Sequence, residues 1–115
     1  MNANDSKTPL LMVDRKELYE SLNLMSKFMK RKKLKTEAVV LSFDGQFLII
    51  DSSVMAEKVK AEGYWPGQAH VAFNLLMILP QSEFETDTLE FRISGDKIQI
   101  QTFSLLCTWH PGNVT

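Results

Sequence analysis

The segment after Asp14 carries apolar residues at helical spacing. The stripe that they form consists of Leu18, Leu22, Met25 and Met29. Leu24 and Phe28 widen this stripe, so the pattern predicts a helix that buries one side. Asp14 is a favourable N-cap residue, and Glu17 stands where a capping box places its second acid. The helix is therefore predicted to begin at Asp14 and to run to about Arg31.

Short apolar or alternating runs predict four strands around this helix, in the first half of the chain. The predicted strands are Leu10–Val13, Ala38–Phe43, Gln46–Asp51 and Val54–Ala61. Asp44-Gly45, between the second and third strands, is a dipeptide that tight hairpins favour. The segment Gly63–Gly67, with its glycines and proline, is predicted to be a loop.

The second half of the chain repeats this order of elements. Its predicted elements are a strand at Gln68–Val71, a short helix at Ala72–Leu79, and strands at Leu89–Ile93, Lys97–Gln101 and Ser104–His110. Ser94-Gly95 marks the second hairpin. Each half is too small to bury its apolar faces alone, so the two are predicted to combine. The predicted fold is an α+β domain of two β-α-β-β-β half-units, with two helices packed on one curved antiparallel sheet.

Length and composition suit one ordinary globular domain. The chain has 115 residues, 44% of them hydrophobic, and a net charge of -1. We expect a flexible tail over residues 1–9, the domain over residues 10–111, and a C-terminal tail over residues 112–115. The one cysteine, Cys107, excludes an internal disulfide, and no apolar run approaches the ~20 residues of a membrane span. A cytoplasmic protein with no membrane partner is expected.

Charge is unevenly distributed along the chain. The run from Lys27 to Lys35 holds six cations and no acid, whereas acids collect in residues 83–90. A cluster of cations on a helix can bind phosphates without reading bases. The alternative is a solvated helix end whose cations suit the helix dipole.

Four stretches of the chain resemble the bacterial DNA polymerase sliding clamp, the β subunit, and most closely its N-terminal domain. These stretches are residues 13–27, 40–48, 70–80 and 89–98, followed by the closing strand. The likeness lies in the order and spacing of elements and covers about residues 10–111. The resemblance implies a DNA-clamp (processivity) fold, a role in DNA replication, and a bacterial host.

The resemblance implies a helix that lines the pore of a ring around double-stranded DNA, without sequence preference. The residues that would face the DNA are Lys16, Asn23, Lys27, Lys30, Arg31, Lys32 and Lys33. Clamp rings contain six such domains joined by strand edges, so one domain per chain implies a homohexamer. The residues expected at the subunit interface are Val54, Ala56, Lys58, Lys60, Leu106 and Thr108.

A second interpretation keeps the fold without encirclement. The chain would be a protein-interaction module, monomeric or dimeric, that binds or regulates a replication protein such as a DNA polymerase or another clamp. A third interpretation is a piece of a longer clamp. Tyr64 and Trp65 are candidates for a partner contact, with Trp65 folding back over the sheet as the favoured alternative.

Residue types typical of catalysis or cofactor binding are not grouped in this sequence. Cys107 and His110 form a lone Cys-x-x-His, which falls short of the three or four ligands of a zinc site. We find no phosphate loop, dinucleotide fingerprint or paired carboxylates. The sequence therefore predicts a protein that is not an enzyme and has neither a cofactor nor a small-molecule substrate.

Overall fold

The computed structural model of the chain describes residues 8–34 and 36–112, with nine strands and two helices in these ranges. The first half contains β1 (Leu10–Asp14), α1 (Arg15–Arg31), β2 (Ala38–Phe43), β3 (Phe47–Asp51) and β4 (Ala56–Tyr64). The second half contains β5 (Gly67–Ala72), α2 (Phe73–Leu76), β6 (Thr88–Ser94), β7 (Lys97–Ile100), β8 (Phe103–Leu106) and β9 (Thr108–Pro111). Most of the two predicted tails lies outside the described residues.

All the strands belong to one antiparallel sheet, in the order β8-β7-β6-β1-β4-β3-β2-β5-β9. The predicted α+β class is confirmed by this sheet and its two helices. The first strand of each half pairs with the other half, because β1 lies beside β6 and β5 lies beside β2. Asp14 stands opposite Thr88 and Ala72 opposite Ala38, and Asp14 and Ala72 are the N-caps of the two helices.

The last strand of each half divides its pairing between two neighbours. β4 pairs first with β3 and then with β1, whereas β8 pairs with β7 and its continuation β9 pairs with β5. The change of neighbour falls at Ala61 in one half and at Cys107 in the other. The N–H of Ala61 donates to the Gln46 carbonyl oxygen (3.3 Å), and that of Cys107 to the Asp96 carbonyl oxygen (2.8 Å). The two halves therefore share one pattern of pairing.

The core lies between the two helices and the sheet, and its helical part consists of the predicted stripe of α1 together with Phe73 and Leu76 of α2. All four residues of that stripe are buried, with Ser21 beside them. Leu24 and Phe28 differ from the prediction, since they remain 42% and 43% exposed. At about 100° per residue both lie roughly 90° or more from the centre of the stripe, which places them at the rim of the contact.

Several predicted boundaries are wrong. β4 begins at Ala56, so Val54 precedes the strand, and β4 continues through Gly63 and Tyr64, which were predicted to be in a loop. Gly63 has φ +144°, and a side-chain carbon there would collide with the Leu10 carbonyl oxygen. Glycine therefore lets two strands approach closely at a position where composition alone indicates a turn.

The hairpin between β2 and β3 is closed by an aspartate side chain. The carboxylate of Asp44 accepts hydrogen bonds from the N–H groups of Gln46 (2.9 Å) and Phe47 (2.8 Å). These bonds hold the pKa of Asp44 below its ordinary value. Gly45 takes a φ of +101°, so the Asp44-Gly45 pair serves the turn as predicted.

Candidate nucleic-acid interface

α1 ends in a Schellman motif that fixes the direction of its basic end. Lys32 is the C-cap and Lys33 follows with a φ of +61°. The Lys33 N–H donates to the Lys30 carbonyl oxygen (3.1 Å), and the Leu34 N–H donates to the Met29 carbonyl oxygen (2.7 Å). Leu34 is half-buried and packs against the core. The chain around the cations is therefore held in place by backbone bonds and by one apolar anchor.

Lys33 occupies a position that favours glycine. A left-handed backbone costs a side-chain-bearing residue about 1 kcal/mol, and helices commonly end with glycine at this position. A lysine here adds charge at the expense of helix stability. Backbone strain of this kind is often found at functional sites.

The structure leaves every residue of the predicted DNA-facing set exposed. These residues are Lys16, Asn23, Lys27, Lys30, Arg31, Lys32 and Lys33. Among residues 8–34 and 36–112, none of their cationic groups lies within ion-pair distance of a carboxylate. The guanidinium of Arg31 lies 5.8 Å from the centroid of the Phe28 ring. The cations are therefore available to an anion from outside this chain.

The exposed cations are spread along the length of α1. Lys16 and Arg31 lie near opposite ends of α1, roughly 22 Å apart at 1.5 Å per residue. This distance is about two-thirds of the ~34 Å helical turn of B-DNA. Four of the cations lie within the last turn of α1 or just beyond it, so positive charge is greatest at that end.

The second half offers no equivalent cations. α2 is a single turn, and its exposed residue Asn74 carries no charge. The connection from α2 to β6 exposes the acids Glu83, Glu85 and Asp87. The candidate site therefore lies on the first half alone.

The residues predicted at strand edges lie in different surroundings. Ala56, Lys58 and Lys60 are exposed along β4, and Leu106 in β8 is 60% exposed. Thr108 lies in β9, opposite His70 of β5, and β9 is the last strand in the order of the sheet. The last strand divides at Cys107, and the interface role of Thr108 stays a prediction.

Glu17 makes a contact that sequence patterns did not indicate. The Asp14 carboxylate accepts from the Glu17 N–H (2.9 Å), as an N-cap should. The predicted second bond of the capping box is wrong, because the Glu17 carboxylate accepts from the backbone N–H of Lys60 in β4 (2.9 Å). Ser21 adds a second polar contact from α1 to β4, donating to the Glu57 carboxylate (3.1 Å).

Trp65 belongs to the core. Its side chain is 4% exposed, its indole N–H donates to the Leu41 carbonyl oxygen (3.1 Å), and its ring meets those of Trp109 and Phe91 edge-on. The predicted partner contact is therefore corrected for Trp65, and its alternative placement over the sheet agrees with the structure. Tyr64, at the end of β4, is 38% exposed.

The remaining candidate groups are Cys107 and the two histidines, His70 and His110. Cys107 is buried, which raises the pKa of its thiol. The rings of His70 and His110 meet at 4.6 Å between centroids. Within the described ranges, no three His, Cys, Asp or Glu side chains come together as a metal site. No helix in those ranges is long and apolar enough to cross a membrane.

Comparison with known proteins adds no assignment. No protein-family model, curated protein or solved structure matches this chain.

Proposed function

We propose that this protein is a clamp-fold DNA-binding protein that holds duplex DNA without sequence preference and assembles through strand edges. Such a protein would act as a processivity factor in DNA replication. The exposed cations at the end of α1, which lack a carboxylate partner among the described residues, are the observation that carries this proposal.

The strand pairing supports the clamp-fold part of the proposal. Two half-units, each with its first strand paired to a strand of the other half, form one antiparallel sheet with two helices. A repeat of this kind is compatible with the proposed relation to a sliding-clamp domain. A ring of six copies would bring six α1 helices to one lumen, where their cations would face phosphates.

The mode of contact would be electrostatic. Lysine and arginine side chains that neutralise phosphates release condensed counterions, so binding weakens steeply with salt and reads no bases. Flexible side chains around the Schellman motif suit a DNA that moves relative to the protein. A processivity factor needs this combination of retention and mobility.

The experiment measures binding of a labelled duplex by fluorescence anisotropy between about 50 mM and 200 mM salt. Unrelated duplex sequences are expected to bind equally. Charge reversal of Lys30, Arg31 and Lys33 to glutamate is expected to abolish binding. The milder variant Lys33→Gly should keep the fold and lower the slope of log Kobs against log salt by about 1.

A matched control reverses Arg92 and Lys97 to glutamate, at exposed positions outside α1 and outside the expected subunit interface, and is compared with the double reversal of Lys30 and Arg31. This control is expected to reduce affinity only slightly. Equal loss of binding in both double variants would overturn the assignment to α1. Salt-insensitive binding would overturn the phosphate mechanism itself.

A second candidate is the protein-interaction module, which the exposed Leu24 and Phe28 favour. These apolar side chains form neither hydrogen bonds nor ion pairs with phosphates, whereas a DNA polymerase or another clamp could bury them. Replacing both with glutamine is expected to leave duplex binding intact if DNA is the partner. If the protein is instead an interaction module, the unchanged chain will show no duplex binding. The glutamine variant will then keep its fold but no longer bind the protein partner.

A further inference from the structure

His70 and His110 lie on the outer face of the sheet, in the paired strands β5 and β9. Ala69 and Val71 are buried in the core, so His70 between them points to the opposite face. Trp109 packs against the core from β9, and His110 beside it is exposed on the outer side. The register of the two strands makes the histidines diagonal neighbours on that face.

The two imidazole rings are in contact with each other. Their centroids are 4.6 Å apart and their planes are inclined by 65°. Neither ring makes a hydrogen bond or an ion pair with another of the residues 8–34 and 36–112. A neutral imidazole has one nitrogen with a free lone pair. Each ring therefore keeps a lone pair that these parts of the chain do not use.

The separation of the rings fits two ligands of one metal ion. A metal–nitrogen bond of about 2.0–2.1 Å places the ion roughly 3.2 Å from the centroid of the imidazole that binds it. Two such rings have centroids about 4.5 Å apart at roughly a right angle around the ion, and about 5.2 Å apart at the tetrahedral angle. The observed 4.6 Å is close to the first value. A right angle separates neighbouring ligands in the square-planar or tetragonal sites that Cu²⁺ and Ni²⁺ favour.

The surroundings of the histidine pair suit a cation. The residues that stand opposite the two histidines on neighbouring strands are uncharged, and they are Val40, Thr108 and Gln68. Beyond Val40, the opposite position on β3 is Asp51, whose carboxylate is exposed. A metal ion at the pair would therefore meet no lysine or arginine at these cross-strand positions.

We propose that His70 and His110 together bind one divalent transition-metal ion of the Cu²⁺ and Ni²⁺ class, with water completing its coordination. Imidazole nitrogen is a preferred ligand of these ions, whereas Mg²⁺ and Ca²⁺ take oxygen ligands. The site uses no residue of α1 and is independent of the proposed DNA binding.

The bound ion fastens the final strand to the sheet. Within the described ranges, β9 pairs with β5 alone and lies at one end of the strand order. An ion that both strands hold adds a cross-link between them. Because such an ion binds the folded protein in preference to the unfolded chain, it stabilises the fold by mass action.

The experiment is calorimetric titration of the full chain, which contains two histidines, with Ni²⁺ alone. We expect one ion per chain, and no binding of Ca²⁺ in the same buffer. His110→Gln removes a ligand at an exposed position and should lower the Ni²⁺ affinity at least tenfold, since loss even of a residue that supports a ligand commonly costs about 10- to 100-fold. Gln68→Ala, exposed at the position opposite His110, is the matched control and should leave the affinity unchanged.

A comparison of single and double variants tests whether both rings bind the same ion. His70→Gln, His110→Gln and the double variant should lose nearly equal affinity, because a lone imidazole cannot chelate. Small losses that add in the double variant would mean two separate weak sites and would overturn the proposal. So would the absence of Ni²⁺ binding to the unchanged protein, or equal losses in Gln68→Ala and His110→Gln. Circular dichroism checks that each variant keeps its fold.

Thermal melts provide a second readout, since the ion should stabilise the link between β5 and β9. Ni²⁺ is expected to raise the Tm of the unchanged protein and to leave that of the double histidine variant unaltered. An equal rise in both proteins would contradict the assignment to this pair. The triple charge reversal on α1 should keep both Ni²⁺ binding and the rise in Tm, so a failure of DNA binding and a failure of metal binding are distinguishable.

Discussion

The first half-unit, from β1 to β4, and the second, from β5 to β9, hold their strands in the same register around helices of very different length. α1 has 17 residues and α2 has four. Val13 pairs with Leu89 and Val71 with Val39, and all four side chains are buried. A slip of one residue would move these side chains to the solvent face. Register therefore depends on the buried faces of the strands and leaves helix length free to vary.

The surfaces of the two halves differ where the pairing does not constrain them. The first half presents cations along α1. At the side of β4 that faces away from β3, the Glu17 carboxylate accepts from the Lys60 N–H, and the side chains of Lys58 and Lys60 are exposed. The second half presents acids between α2 and β6 and leaves the β8 edge uncharged. The exposed charge of α1 is thus opposite in sign to that of the connection between α2 and β6.

The strongest test of the equivalence compares Leu18 with Leu76, each the fourth residue after its helix N-cap. Both side chains are 2% exposed. Leu18→Ala and Leu76→Ala are each expected to lower the free energy of unfolding by about 2–4 kcal/mol, through lost burial and the cavity that remains. Urea denaturation followed by circular dichroism measures both.

A loss below about 1 kcal/mol for Leu76→Ala alone would mean that the short helix is dispensable to the core. The equivalence would then hold for the strands and fail for the helices. Ile78→Ala is a suitable control, since Ile78 is partly exposed just beyond α2.

A smaller effect is expected at Glu17, whose contact with β4 has no counterpart in the second half. Glu17→Ala removes the bond to the Lys60 N–H and should lower the free energy of unfolding by about 1–2 kcal/mol. Glu20→Ala, exposed on the same helix, should change it by less than about 0.5 kcal/mol. Equal effects of the two variants would mean that the Glu17–Lys60 bond contributes nothing to stability.

The smallest effect concerns the two hairpins, because Asp44 closes the first one and Ser94 holds the equivalent place in the second. The pKa of folded Asp44 lies below its ordinary value, so its contribution to stability is present above about pH 4 and is lost as pH falls through the folded pKa. Asp44→Asn keeps an acceptor oxygen that does not titrate. The stability difference between the two proteins should therefore shrink on acidification, which thermal melts across the acid range measure. A difference independent of pH would contradict the role of the carboxylate.

Local patterns predicted most of the fold. The apolar stripe of α1, the two hairpin dipeptides and the order of the strands along the chain all follow from patterns among residues that are close in sequence. Among the candidate site residues, the exposure of Lys27, Lys30 and Arg31 follows from the same helical period. The α+β class could therefore be deduced before the structure.

The misses concern contacts between residues distant in sequence. Glu17 satisfies the capping-box pattern, yet its carboxylate bonds to Lys60, 43 positions away. Gly63 indicates a turn by composition, yet the close approach of Leu10 makes it part of a strand. The division of the last strand at Cys107 follows from the position of β5 and leaves no local signal. Long-range packing decided each of these cases.

The exchange of first strands between the halves has a consequence for synthesis on the ribosome. When β1 to β4 have emerged, β2 still lacks β5, and β1 still lacks β6. The first half can therefore form its helix and its β2–β3–β4 meander early, but it cannot complete its part of the sheet. Productive folding has to wait for the second half, so the nascent chain exposes an open sheet over much of its length during translation.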